Sequence, residues 1–147
     1  MSAVYRFWVS LMTAAVVLQI GFAGYGAFRV AHKLDKKTDT VNQDTFDNAF
    51  TPHAALGDLI VLSGLVLLVL ALLARGRDRI KWSAIAFVLL VAQLLLAWTG
   101  ATAPYILGAL HPINALLILG VLGSITMREW KGGRGMGMHA DAAPPAA

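Results

Sequence analysis

The sequence predicts an all-α fold: a four-helix transmembrane bundle that runs up-down-up-down, with both termini in the cytoplasm. Two observations carry that prediction. Hydrophobic residues make up 58% of the 147-residue chain and charged residues 14%, with a mean hydropathy of +0.68. A soluble domain carries about 25% charged residues. The apolar residues are also gathered into four segments of 21 or 22 residues, and about 20 residues of helix cross a hydrocarbon core of about 30 Å.

The first segment, Phe7 to Phe28, holds no charge. It is longer than the roughly 7–15 residues of a secretory signal's apolar region, so it reads as a span. A polar loop follows over about Val30 to Pro52, the only sizeable polar segment between spans. The second helix is expected over Ala54 to Ala74, with Asp58 as its one charge, and the third over Trp82 to Ala103, with none. A tight turn at Pro104 and Tyr105 leads to the fourth, Ile106 to Met127, which is uncharged but contains His111 and Pro112. These spans form one domain over residues 1–131. Residues 132–147, rich in Gly, Ala and Pro, read as a flexible cytoplasmic tail.

Orientation follows from the basic residues. Arg6, the cluster Arg75, Arg77, Arg79 and Lys81, and the flank Arg128, Lys131 and Arg134 share one side of the membrane. Arg29, Lys33, Lys36 and Lys37 lie on the other, diluted by Asp35, Asp39, Asp44 and Asp47. The positive-inside rule puts the first set, and both termini, in the cytoplasm. Trp8, Trp82 and Trp130 then form an inner interfacial belt, with Trp98 and Tyr105 at the outer face. The net charge of +4 is explained by this bias, and nucleic acid is not an expected partner. With no cysteine there is no disulfide, thiolate metal site, Fe–S cluster or c-type heme attachment.

Of the four histidines, His53 and His111 are the informative pair. Each opens a helix that runs inward from the outer face, so the two imidazoles sit at similar depth. In a bundle with short loops the second and fourth helices are diagonal neighbours, about 14 Å apart if adjacent axes are 8–10 Å apart. Two imidazoles reaching inward across that gap can clamp one iron from opposite sides, which points to bis-histidine heme. Gly57 and Ala115 follow the histidines at i+4, on the same helix face and one turn deeper. Small residues there would give a macrocycle clearance, and they equally permit close helix packing. Arg29 and Lys33, with His32, end the first helix on the same side, where cations would meet heme propionates or anchor in the interface.

An internal repeat supports the arrangement. Gln19-Ile-Gly-Phe-Ala-Gly-Tyr-Gly-Ala27 in the first helix aligns with Gln93-Leu-Leu-Leu-Ala-Trp-Thr-Gly-Ala101 in the third, and His53-Ala-Ala-Leu-Gly57 aligns with His111-Pro-Ile-Asn-Ala115. Two helical hairpins related by a pseudo-twofold axis along the membrane normal would place one histidine each beside that axis.

Over about residues 7–127 the chain resembles one half of the heme A synthase family. The matching stretches are His53 to Gly57, Gln93, Leu110-His111-Pro-Ile-Asn-Ala115 and the glutamine-glycine stretch of the first helix. The resemblance implies a four-helix unit that binds heme between His53 and His111. The family's glutamate ahead of the second-helix histidine, the arginine after it and the loop cysteines have no counterparts: Phe50, Thr51 and Pro52 precede His53, and Ala54 follows. A b-type cytochrome role is therefore expected rather than heme A synthesis.

The expected function is electron transfer through heme b in a bacterial plasma membrane, linked to quinol or within a respiratory complex, with other subunits or a second copy as partners. Two alternatives are a cofactor-free accessory subunit and a heme-handling protein related to heme A synthase. Asp58 is expected either to accept a proton coupled to heme reduction, to pair with Ser63, Gln19 or Asn114, or to snorkel outward.

Overall fold

A computed structural model describes residues 2–36, 40–102 and 105–137. Four helices follow one another: α1 (Ser2–Asp35), α2 (Gln43–Ala74), α3 (Arg77–Thr102) and α4 (Tyr105–Gly137). Each is long and apolar enough to cross a membrane. α1 packs on α2 and α4, and α3 packs on the same two, while neither diagonal pair touches through its backbone. That is the antiparallel square in which α2 faces α4 across the axis.

The helices overrun their apolar segments, most of all at the expected outer loop. α1 continues to Asp35 and α2 starts at Gln43, so much of the 30–52 stretch is helical. Polar residues do not end a helix by themselves, and the first turn of α2 has its own cap. Asn42 is extended, and its side-chain oxygen accepts from the Thr45 backbone N–H (3.0 Å) and hydroxyl (2.9 Å), satisfying an otherwise unpaired N-terminal donor. At the opposite end of the chain, residues 132–137 continue α4. Lys37, Asp39, Ala103, Pro104 and the rest of the expected tail (138–147) lie outside the described residues.

The repeat seen in the letters reappears in the packing. Buried Val9, Met12 and Val16 on α1 correspond to buried Ser83, Ala86 and Leu90 on α3. Ile60, Gly64 and Leu67 on α2 correspond in the same way to Ile118, Leu122 and Ile125 on α4. Glycines permit close approaches at matching places. A Cβ on Gly26 would meet the Phe50 ring at 2.9 Å, and one on Gly100 would lie 2.9 Å from the Gly108 Cα. Outward, Phe28 (79% exposed), Ile106 (71%) and many Leu and Val residues face away from the core, the inverse of a water-soluble surface.

Because hydrocarbon lipid is as apolar as leucine, packing and interhelical hydrogen bonds must hold such a bundle. At the end carrying the chain termini, the Tyr5 hydroxyl of α1 reaches across the diagonal to Ser83 of α3 (2.9 Å, both fully buried). Trp8 Nε1 donates to the Ser63 carbonyl (3.1 Å), and the Thr13 and Thr126 hydroxyls are 3.0 Å apart. A bidentate ion pair joins α3 to α4, Arg79 Nε to Glu129 Oε1 (2.7 Å) and Nη2 to Oε2 (2.8 Å).

Candidate functional site

At the other end of the bundle the opposite diagonal is bridged by the histidines. The His53 and His111 ring centroids are 6.1 Å apart, with ring planes inclined at 62°. Both rings are held in the same way by the neighbouring helix of their own hairpin. His53 Nδ1 lies 3.1 Å from the Gln19 carbonyl, and His111 Nδ1 lies 3.2 Å from the Gln93 carbonyl. A carbonyl only accepts, so Nδ1 carries a proton in both rings, and in the neutral imidazole Nε2 is the nitrogen left to ligate. A backbone partner of this kind fixes tautomer and orientation in metal-ligating histidines and raises their basicity.

The two glutamines complete the hairpins differently. Gln19 Nε2 donates to the His53 carbonyl (2.7 Å), so Gln19 and His53 clasp each other at two points. Asn114 Nδ2 donates to Gln93 Oε1 (2.7 Å) and to the Leu89 carbonyl (2.9 Å). The position of α2 that corresponds to Asn114 is Leu56, which has no donor to offer. Gln19 Oε1 is accordingly buried without a partner.

That asymmetry gives a direct test. Leu56→Asn should supply the missing donor and leave the bundle about 0.6 kcal/mol more stable than Leu56→Ala, the mean worth of an interhelical side-chain hydrogen bond in a membrane. Leu56→Ala removes the same packed leucine without adding a donor. Asn114→Leu should lower stability by a similar amount by stranding Gln93 Oε1. Reversible unfolding in mixed micelles reads these variants, and a Leu56→Asn protein no more stable than Leu56→Ala would sink the assignment.

The site residues expected from the sequence are partly assembled. His53, His111 and Gly57 come together, but the space beside Gly57 is taken by Gln19, whose Nε2 would lie 3.0 Å from a Cβ there. Ala115 is half-buried one turn below His111. Arg29 stands about 7 Å farther out along the bundle, from the helical rise, and its Nη1 donates to the Asn48 carbonyl (3.3 Å). Pro52 lacks the N–H that would otherwise bond that carbonyl, so Arg29 caps the gap. Lys33 is half-buried and His32 exposed. Phe46, Phe50 and His53 form an aromatic ladder leading to the pair, stacked at 4.6 Å and then edge-on at 6.2 Å.

Asp58 departs from every pairing expected of it. Asp58 makes no hydrogen bond with Ser63, Gln19 or Asn114; Gln19 is tied to His53, and Asn114 to Gln93 and Leu89. Asp58 instead faces outward from α2. Positions five residues apart point in different directions, since about 3.6 residues make one turn, so a residue at i+5 from an inward histidine turns away from the axis. Sequence reasoning also passed over the Tyr5–Ser83 and Arg79–Glu129 links. Their signal was correspondence in the repeat, because Tyr5 and Arg79 occupy equivalent positions on α1 and α3, as do Val9 and Ser83.

The donor chemistry fits heme iron. With ring centroids 6.1 Å apart, the two imidazoles are close enough to ligate one metal together. Among the described residues no cluster of three or more His, Cys, Asp or Glu is placed to hold a metal; a group held by this pair would have to bring its other donors with it. The orphaned Gln19 oxygen adds a buried acceptor beside the pair.

Fold and site together define a multi-pass helical protein with an opposed histidine pair near one end of its bundle. Residues 40–102 match a family of unknown function, DUF6220; that stretch spans α2 and α3 and includes His53 and Gln93. No curated protein and no solved structure matches the chain.

Proposed function

We propose that the protein is a membrane cytochrome of the b type, binding one heme between His53 and His111 and passing electrons, either from quinol or within a respiratory complex of a bacterial plasma membrane. The observation that carries the reading is the matched pair of rings, each with Nδ1 tied to a glutamine carbonyl and Nε2 left to ligate. The sequence resemblance to one half of the heme A synthase family points the same way, through the same two histidines.

When bound, the heme supplies reversible one-electron redox chemistry, while the protein sets its orientation and electrostatics. His53 on α2 and His111 on α4 would hold the iron, and a site with two imidazole ligands would favour electron transfer over oxygen binding. The Gln19 and Gln93 carbonyls hold the imidazoles in the ligating tautomer. Arg29 and Lys33 place cations on the outer side for the propionates. The positive-inside bias puts this end of the bundle away from the cytoplasm.

Heme stoichiometry tests the proposal. Protein purified from heme-replete cells should contain one non-covalent heme b per chain by the pyridine hemochrome assay. A heme-free, folded protein would overturn it.

One observation favours a second reading, an accessory subunit of a larger membrane complex. Asp58 is exposed on α2, four residues inside the apolar segment that starts at Ala54. Carboxylates at such depth are costly facing lipid, and they usually meet a polar partner or line a wet cavity. If a partner helix covers Asp58, an Asp58→Leu variant should lose that partner in co-purification while keeping its own fold. Unchanged co-purification would count against this reading.

A further inference from the structure

The end of the bundle that carries the termini holds a cavity of about 510 Å³ between α1, α3 and α4. Three arginines line it, Arg6, Arg79 and Arg128, against two carboxylates, Asp78 and Glu129. Arg79 and Glu129 neutralise each other in their bidentate pair. Arg6 and Arg128 have no carboxylate partner among the described residues. Each is instead held over an indole, Arg6 over Trp130 at 4.4 Å and Arg128 over Trp82 at 4.9 Å.

The support behind Arg6 is continuous. Trp130 Nε1 donates to the Ser10 hydroxyl (3.0 Å), which donates to the Arg6 carbonyl (2.9 Å). The stacking partner of Arg6 is thus tied back to the helix that carries it. A guanidinium stacked by its face keeps its N–H groups in the ring plane free, the fork that matches a phosphate. Trp82 and Ile125 give the same cavity an apolar wall.

We propose that this cavity binds the phosphate of an anionic phospholipid, with Arg6 and Arg128 gripping the phosphodiester and the apolar wall taking the glycerol and first acyl carbons. A lipid source is favoured over free phosphate because Trp8, Trp82 and Trp130 mark this end as the interfacial level where headgroups lie. Basic pockets between transmembrane helices at that depth select anionic headgroups. The site is separate from the histidine pair, at the other end of the bundle, and it stands whether or not heme binds.

Native mass spectrometry of the full chain, released from nanodiscs of phosphatidylcholine doped with phosphatidylglycerol, tests the proposal. The wild-type protein should retain one phosphatidylglycerol in preference to phosphatidylcholine. Arg6→Gln and Arg128→Gln should each lower that retention about fivefold, from the typical worth of one basic residue at a membrane surface. Lys131→Gln, which removes a nearby charge outside the cavity lining, should leave it unchanged. Retention without headgroup preference in the wild-type protein would overturn the proposal, and that arm does not depend on any variant folding. So would equal losses in all three variants, or displacement of the lipid by millimolar inorganic phosphate.

Discussion

Replacing His53 or His111 with alanine is expected to abolish low-spin heme in either variant, and replacing both should leave the protein without heme. The expectation follows from the geometry of the pair. Each imidazole is the only one its helix turns toward the bundle axis, and the two lie 6.1 Å apart. Removing one would leave a bound iron with a single protein ligand, so that only water or a small ligand could replace the lost nitrogen. The near-equivalent support of both rings, by the Gln19 and Gln93 carbonyls, predicts similar losses on the two sides. The effect should be separable from folding, because losing a ring's hydrogen bond to a carbonyl costs about 0.6 kcal/mol in a membrane. Helical content should therefore persist in both variants, and added imidazole should restore low-spin heme to His53→Gly and His111→Gly. Full low-spin heme in His53→Ala would move the site elsewhere in the bundle.

The second large effect lies at the opposite end. Arg79→Ala should destabilise the bundle by about 2–3 kcal/mol, below the 3–5 kcal/mol of a fully buried pair because the side chains are 27% and 14% exposed. The loss has two sources. Glu129 is left as a half-enclosed carboxylate without a cation, and the contact of the guanidinium over the Tyr5 ring, 5.5 Å from its centroid, disappears. Glu129→Gln should cost less, since an amide carries no charge to strand. A double-mutant cycle with Arg79→Ala should then give a coupling well above the 0.2–1 kcal/mol of an exposed pair. Arg79→Lys should recover only part of the loss, because an ammonium cannot reproduce two parallel N–H···O bonds. Unfolding in mixed micelles measures all of these, and a loss below about 0.5 kcal/mol would mean that the pair behaves as an ordinary surface bridge.

The membrane spans were legible because they rest on a large, additive quantity. About twenty apolar residues in a row are stable in few places other than a bilayer. The helix ends were not legible, since outside hydrocarbon a helix is ended by caps and turns rather than by polarity. Asn42 sets the start of α2, and the ten residues Gln43 to Pro52, which read as loop, are helical, as are Val30 to Asp35 at the end of α1. The histidine pair was visible through the register of the repeat, which placed His53 and His111 at equivalent positions on diagonal helices. What held them was hidden, because the acceptors are backbone carbonyls that every residue possesses. Gly57 shows the limit of reading clearance from letters: a small residue does make room, and the Gln19 amide from the next helix occupies it. Asp58 shows another. Its depth was readable from the sequence, but its outward direction depends on the helical phase set by the packed face.

The proposed electron transfer would require the two imidazoles to act together on one iron, and electron paramagnetic resonance of the oxidised, purified protein addresses that most directly. A six-coordinate, low-spin bis-imidazole ferric signal that disappears in both His53→Ala and His111→Ala is the predicted result. A high-spin signal in the wild-type protein, or a low-spin signal that survives loss of either histidine, would contradict it.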